Sequence, residues 1–218
     1  MSDRHFVYFA DPMCSWCYGF SPVINALAQQ FAGRLPVRLV MGGLRAGNTQ
    51  AMRPQDREYI RGAWMRVGEA SGQPFDFSFF DRDTFVYDTE PACRAVVTMR
   101  RLAPDKALGF MAAIQRAFYG NNEDITQTEV LAAIAEREAG IDAATFTAEF
   151  MAPETRNETF RDFLIAQQAG VQGFPFLVAG NEQDGYAQVT NGFRLIDGLP
   201  EAIEVWLRRS ESETRAQT

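Results

Sequence analysis

The chain begins with a short apolar run, His5-Phe6-Val7-Tyr8-Phe9-Ala10, rich in aromatic and β-branched residues, that stops at Asp11-Pro12. Such a run reads as a buried strand. From Cys14 the period changes. Phe20, Ile24, Leu27, Ala28 and Phe31 recur at helical spacing, which predicts a helix kinked at Pro22 and stopped at Gly33. Pro36 to Met41 alternates as a second strand, closed by Gly42-Gly43. Strand, helix and strand within about forty residues make a βαβ unit with parallel strands.

Helical periodicity then runs through Pro54–Gly68, Thr89–Leu102, Pro104–Tyr119, Thr126–Ala139 and Thr155–Ala169. Thr89 with Pro91, Pro104 itself, and the pairs Thr126/Glu129 and Thr155/Glu158 supply helix starts. Phe75 to Tyr87 carries five phenylalanines in a loop-like context and is expected to pack the helical block onto its neighbour. The stripe Tyr59, Ile60, Ala63, Trp64 and Val67 should meet core or wall a groove beside Cys14. After Gly170-Val171-Gln172-Gly173, Phe174–Ala179 and Tyr186–Thr190 form a hairpin about a turn at Gly180 to Gly185. Leu195 to Arg208 gives a last helix with Leu199, Ile203, Trp206 and Leu207 on one face, and residues 211–218 read as a disordered polar tail.

A chain of 218 residues with 46% hydrophobic content can bury a sizeable core without disulfide or metal staples. Its formal charge of -7, with arginines interleaved among carboxylates, argues against a nucleic-acid partner. The first residues carry no secretory pattern, and no apolar run approaches the roughly 18 residues of a membrane span. The expected home is the reducing cytoplasm. Three cysteines do not make a disulfide scaffold there, and a close pair is more often catalytic or metal-binding.

That pair is Cys14-Ser15-Trp16-Cys17, placed after a strand and at the first turn of a helix. The helix terminus offers unpaired N–H groups and the positive dipole end, which favours a thiolate on Cys14. Cys14 would form the mixed disulfide with substrate and Cys17, one turn deeper, would resolve it. A zinc half-site has the same spacing but needs two more ligands, for which only Cys93 and the distant His5 remain. Two inert thiols are the other bland alternative.

The series Asp11-Pro12-Met13-Cys14-Ser15-Trp16-Cys17, kinked helix, strand, helical block, then Gly173-Phe174-Pro175 opening a hairpin, resembles the DsbA-like branch of the thioredoxin superfamily. The stretch Thr89-Glu90-Pro91-Ala92-Cys93-Arg94-Ala95 and the missing signal look closer to its cytoplasmic FrnE-like and 2-hydroxychromene-2-carboxylate isomerase relatives. The resemblance implies an α/β thioredoxin-like fold, with a mixed sheet flanked by helices. Residues 1–43 and 170–210 would form the thioredoxin-like domain, and residues 44–169 an inserted all-helical subdomain. It implies a thiol-disulfide oxidoreductase, reducing or isomerising disulfides through Cys14 and Cys17.

The same resemblance makes Pro175 a cis-proline facing the redox pair, and Gly173, Phe174 and Trp16 substrate-binding residues. Protein or small-molecule thiols and disulfides would be the substrates, with no bound cofactor and with glutathione as co-substrate. Two departures bear on the chemistry. Ser15 and Trp16 replace the histidine-containing dipeptide of the periplasmic oxidant, which implies a disulfide nearer thioredoxin's about -270 mV than DsbA's about -120 mV. Cys14 stands where the isomerase and kappa-class glutathione transferase relatives typically have serine, which favours redox work over glutathione-dependent isomerisation or transfer. A peptide-binding chaperone without turnover is the remaining alternative.

Other residues have duller expectations. Asp11 could move a proton to or from Cys17 if buried beside it, but an exposed turn carboxylate is its default. Cys93 is read as a small core hydrophobe. The lone His5 is read as a surface residue, and Glu136-Arg137-Glu138 as a solvated helix face.

Overall fold

The computed structural model describes residues 3–216. These carry four strands, β1 (His5–Ala10), β2 (Val37–Met41), β3 (Phe176–Asn181) and β4 (Gly185–Asn191). Eight α-helices accompany them: α1 (Ser15–Gln30), α2 (Pro54–Ser71), α3 (Glu90–Leu102), α4 (Ala107–Asn121), α5 (Thr128–Ala139), α6 (Ala143–Met151), α7 (Pro153–Gln168) and α8 (Leu199–Ala216). The sheet order is β2-β1-β3-β4. β1 runs parallel to β2, with Phe6 opposite Val37 and Ala10 opposite Met41. β3 is antiparallel to both β1 and β4. This is the α/β, thioredoxin-like architecture with a helical insertion.

Strand alternation divides β1 between two faces. Phe6, Tyr8 and Ala10 enter the main core with α1, whereas Val7 and Phe9 pack on the other face with Val40 and Ala166. Ala166 belongs to α7, so the last helix of the 44–169 segment covers the sheet itself. The main core runs without a break from β1 through α1 into Trp64, Phe79, Phe118 and Phe146 of the helical block. The phenylalanine-rich segment surrounds Trp64: Phe75, Phe77, Phe79 and Phe80 all have ring centroids within 6.2 Å of it. A short 3-10 turn at Phe77–Asp81 lets these phenylalanines converge on one ring.

Pro22 lies inside α1. Lacking an N–H, it frees the carbonyl of Tyr18 one turn back. Gln73 Nε2 donates to that carbonyl at 3.4 Å. The loop after α2 thereby supplies the hydrogen bond that the proline removes.

Several expectations are corrected. Asp124, not Thr126, organises the start of α5: its Oδ1 accepts from the Thr126 backbone N–H and hydroxyl. α7 starts at Pro153, and Thr155 donates to Glu149 Oε1 at 2.6 Å instead of capping. α6 was not expected, although Asp142 caps it by accepting from Thr145 N. Tyr59 is exposed, leaving Ile60, Trp64 and Val67 as the buried stripe of α2. α8 starts at Leu199, after Gly198, and continues through Ala216 into the segment expected as a tail, since no Gly or Pro follows Pro200 of its first turn. Residues 217 and 218 of that tail lie outside the described residues. No helix among the described residues is long and apolar enough to cross a membrane.

One polar cluster fixes the end of β2. Arg100 of α3 donates to the Leu39 carbonyl at 2.7 Å, to Asp162 Oδ2 at 2.9 Å and to Glu158 Oε1 at 2.7 Å. Asp162 of α7 also accepts from Met41 N at 3.0 Å. Three elements are thus held where β2 passes into Gly42 and Gly43.

Candidate functional site

β1 ends against a tight turn in which Cys14 N donates to the Asp11 carbonyl at 3.0 Å. Cys14 is the N-cap of α1, in extended conformation, and its carbonyl accepts the first helical bond from Tyr18 N. The cysteines therefore occupy unequal positions. Cys14 keeps 7% of its surface exposed and Cys17 none. Both are free thiols, as is the buried Cys93.

Across from the helix tip lies the turn before β3. The Phe174–Pro175 peptide is cis, and Cys14 Sγ donates to the Phe174 carbonyl oxygen at 3.5 Å. Pro175 is buried, with Gly173 and Phe174 half-buried beside it. The Pro175 carbonyl accepts from Gly192 N at 2.8 Å, which ties the turn to β4. Trp16 is half-buried, its ring 5.5 Å from that of Phe193 just beyond β4. Fold topology thus brings Cys14, Cys17, Trp16, Gly173, Phe174 and Pro175 into one neighbourhood.

The Phe174 ring rests on Gly42 so closely that a Cβ there would fall 2.1 Å from its tip. Gly43 follows with φ of +62°, a left-handed conformation natural to glycine, beneath the Phe163 ring. The chain then turns so that Leu44 N points back at the cysteines' supporting residue, Asp11.

Asp11 is fully buried, contrary to the exposed carboxylate expected. Its Oδ1 accepts from Met13 N at 2.8 Å and its Oδ2 from Leu44 N at 2.7 Å. Cys93 Sγ donates to the same Oδ2 at 3.5 Å. Burial raises the Asp11 pKa, and the Leu44, Met13, Thr89 and Cys93 hydrogen bonds oppose that rise. Cys17 has its thiol pKa pushed well up, first by burial, then by the neighbouring Cys14, with the Asp11 charge adding to it. Burial likewise raises the Tyr87 hydroxyl pKa. That hydroxyl donates to the Met13 carbonyl at 2.8 Å, and it lies 3.4 Å from the Tyr119 hydroxyl.

Tyr87 and the Gly42–Leu44 turn were not assigned to the site from sequence, and Asp11 was weighed for it only on the condition of burial beside Cys17. The signal for Asp11 was its place two residues before Met13 at the end of a buried strand. An Asx turn there aims the carboxylate at the following backbone N–H, but its burial is decided by Leu44 and Cys93, far along the chain. His5, read as a surface residue, is half-buried, its Nε2 lying 3.2 Å from the Tyr186 hydroxyl and away from this site.

The DSBA-like thioredoxin domain family model matches residues 6–204. A Nitrosomonas europaea protein provisionally assigned as a protein disulfide isomerase is 38% identical, with a TM-score of 0.87 over 94% of this chain and 98% of its own. The cytosolic disulfide reductase DsbM from Pseudomonas aeruginosa is 29% identical, with a TM-score of 0.77 over 94% of this chain and 98% of its own. The same reductase has been solved with glutathione. The ClpXP adapter protein SpxH of Halalkalibacterium halodurans is 22% identical across 80% of this chain and 58% of that protein. The chain thus spans little more than half the length of the curated relatives it matches. A match that runs from β1 into α8 leaves no strand of the sheet outside it, and the chain belongs to the DSBA-like thioredoxin domain family.

Proposed function

We propose that this protein is a disulfide reductase acting through Cys14 and Cys17 on protein or small-molecule disulfides in a reducing cytoplasm. The observation that carries this reading is the unequal burial of two thiols at one helix tip, the more accessible of them bonded to the Phe174 carbonyl. An extended substrate could pair with the main chain at Gly173 and Phe174 beside Pro175, with Trp16 at its flank.

The Cys14 thiolate attacks a substrate disulfide, forming a Cys14–substrate disulfide and expelling one substrate thiolate. Cys17, whose buried thiol resists ionisation, gives its proton to the Asp11 carboxylate and attacks Cys14 Sγ. The second substrate thiolate leaves and takes up a proton. The protein's dithiol has then lost two electrons to the substrate and become the Cys14–Cys17 disulfide. Two glutathione molecules restore it, leaving as glutathione disulfide, a role supported by the reductase relative solved with glutathione. Isomerisation uses the same first step, with a substrate thiol resolving the adduct before Cys17 does.

The test is glutathione-dependent reduction of insulin by the purified chain. Activity should vanish in Cys14→Ser. Activity unchanged in that variant overturns the reading. A second reading, a partner-binding adapter, draws on the SpxH likeness. It requires partner capture that survives Cys14→Ser and an absence of reductase activity in the parent.

A further inference from the structure

Asp11 holds a carboxylate in the protein interior with no bonded cation among the described residues. Buried ionised carboxylates persist only where enough donors replace water. Two backbone N–H groups, from Met13 and Leu44, are fixed by the chain. A side-chain hydrogen bond from Thr89 adds to these, and a further side-chain donor is the thiol of Cys93 in the first turn of α3, itself fully buried. A thiol is an unusual choice because it is a weak donor, and packing alone would accept alanine or valine here. The Cys93 side chain reaches from α3 to bring its sulfur within 3.5 Å of Oδ2.

We propose that Cys93 is a positioning residue whose thiol donates a hydrogen bond to Asp11 Oδ2, beside that of Leu44 N, and helps hold that carboxylate ionised and oriented at the foot of the Cys14–Cys17 turn. The consequence for turnover rests on the reading above, in which Asp11 accepts the Cys17 proton. The bond to Asp11 does not. Burial, the Asp11 charge and Glu90 all hold the Cys93 thiol protonated, against an opposing Gly43 backbone hydrogen bond, so the donor hydrogen stays in place while Asp11 is ionised. The other titratable groups around this cluster are Tyr8 on β1, Cys14 and Cys17 on α1, Tyr119 on α4, and Glu90 on α3. Tyr87 precedes α3, and Arg45 lies over the Tyr87 ring at 5.4 Å.

The test titrates Asp11 directly in the reduced, full-length chain labelled with 13C at its aspartate carboxyls. The Asp11 resonance is assigned by its loss in Asp11→Asn, then followed with pH in the parent and in Cys93→Ser, Cys93→Ala and Cys93→Val. Alanine and valine, which lack a donor, should raise the Asp11 midpoint by about half a pH unit or more. Serine should hold it at or below the parent's, and valine keeps the core filled if alanine destabilises it. The pH limb of mixed-disulfide resolution should move with the midpoint. Equal midpoints in all four proteins overturn the proposal, whatever Asp11 does in catalysis. Shifted midpoints with unimpaired resolution in Asp11→Asn uphold the Cys93 bond and overturn the proton-accepting role of Asp11.

Discussion

Cys14 Sγ lies 3.5 Å from the carbonyl oxygen of Phe174, a residue 160 positions away in the chain. The Phe174 ring in turn lies against Gly42, at the end of β2. The Cys14 sulfur, the Phe174–Pro175 turn and the end of β2 therefore form one packed unit, and a change at any of them should be felt at the others.

Gly42→Ala tests that packing. Its new Cβ would sit 2.1 Å from the Phe174 ring, so the ring and the Phe174–Pro175 turn have to shift. Overpacking of this kind costs about 1 to 3 kcal/mol. Thermal unfolding should show that loss, and kcat/KM for disulfide reduction should fall about tenfold or more, since misplacement of positioning groups by ~1 Å has effects of that order or larger.

Asp11→Asn separates catalysis from stability. Mixed-disulfide resolution by Cys17 should slow about a hundredfold near neutral pH, within the range for loss of a general base. Stopped-flow measurement with a preformed Cys14 adduct reads that step alone. Stability should respond in a defined direction with pH. Burial raises the folded-state pKa of Asp11 above the ordinary value of 3.8, so the folded protein binds more protons than the unfolded chain between those two values. The Asp11 contribution to stability therefore declines as pH rises through that window. Asp11→Asn should remove this decline, and denaturant titrations of both proteins across pH 4 to neutral check it.

Arg100→Met should destabilise without touching the thiols. It leaves Asp162, 5% exposed, as a buried carboxylate bonded only to Met41 N and frees the Leu39 carbonyl. Breaking a buried ion pair from one side costs about 3 kcal/mol. Unfolding should report that loss, while the rate of Cys14 alkylation in the folded protein stays at the parent's.

Tyr87→Phe removes the hydroxyl that donates to the Met13 carbonyl beside Cys14. One such buried bond contributes about 1 kcal/mol. Equilibrium unfolding should show a loss of that size, with Cys14 retained as the reactive thiol.

What the sequence made legible follows from the range of each interaction. The sheet strands, α1 and the cysteine tip were readable because alternation, helical period and the Asp11-Pro12 break are local signals. α6 was missed because its nine residues carry few periodic positions, although the Asp142 cap was there to be read. The caps at Thr126 and Thr155 misled for the same reason that Asp11 did. Short polar side chains choose among nearby partners, and for Thr155 the winner was Glu149, in the last turn of α6. Asp11 looked like a turn carboxylate because its turn is local, whereas its burial depends on Leu44 and Cys93, 33 and 82 residues further on.

The central claim is that Cys14 makes the bond to substrate and Cys17 releases it. It is tested most directly by expressing Cys17→Ala, quenching with acid and mapping disulfide-linked adducts by mass spectrometry. The account predicts adducts on Cys14 that are absent from the Cys14→Ser, Cys17→Ala double variant. A folded Cys17→Ala protein carrying no adduct at Cys14, or carrying one at Cys93, would contradict it.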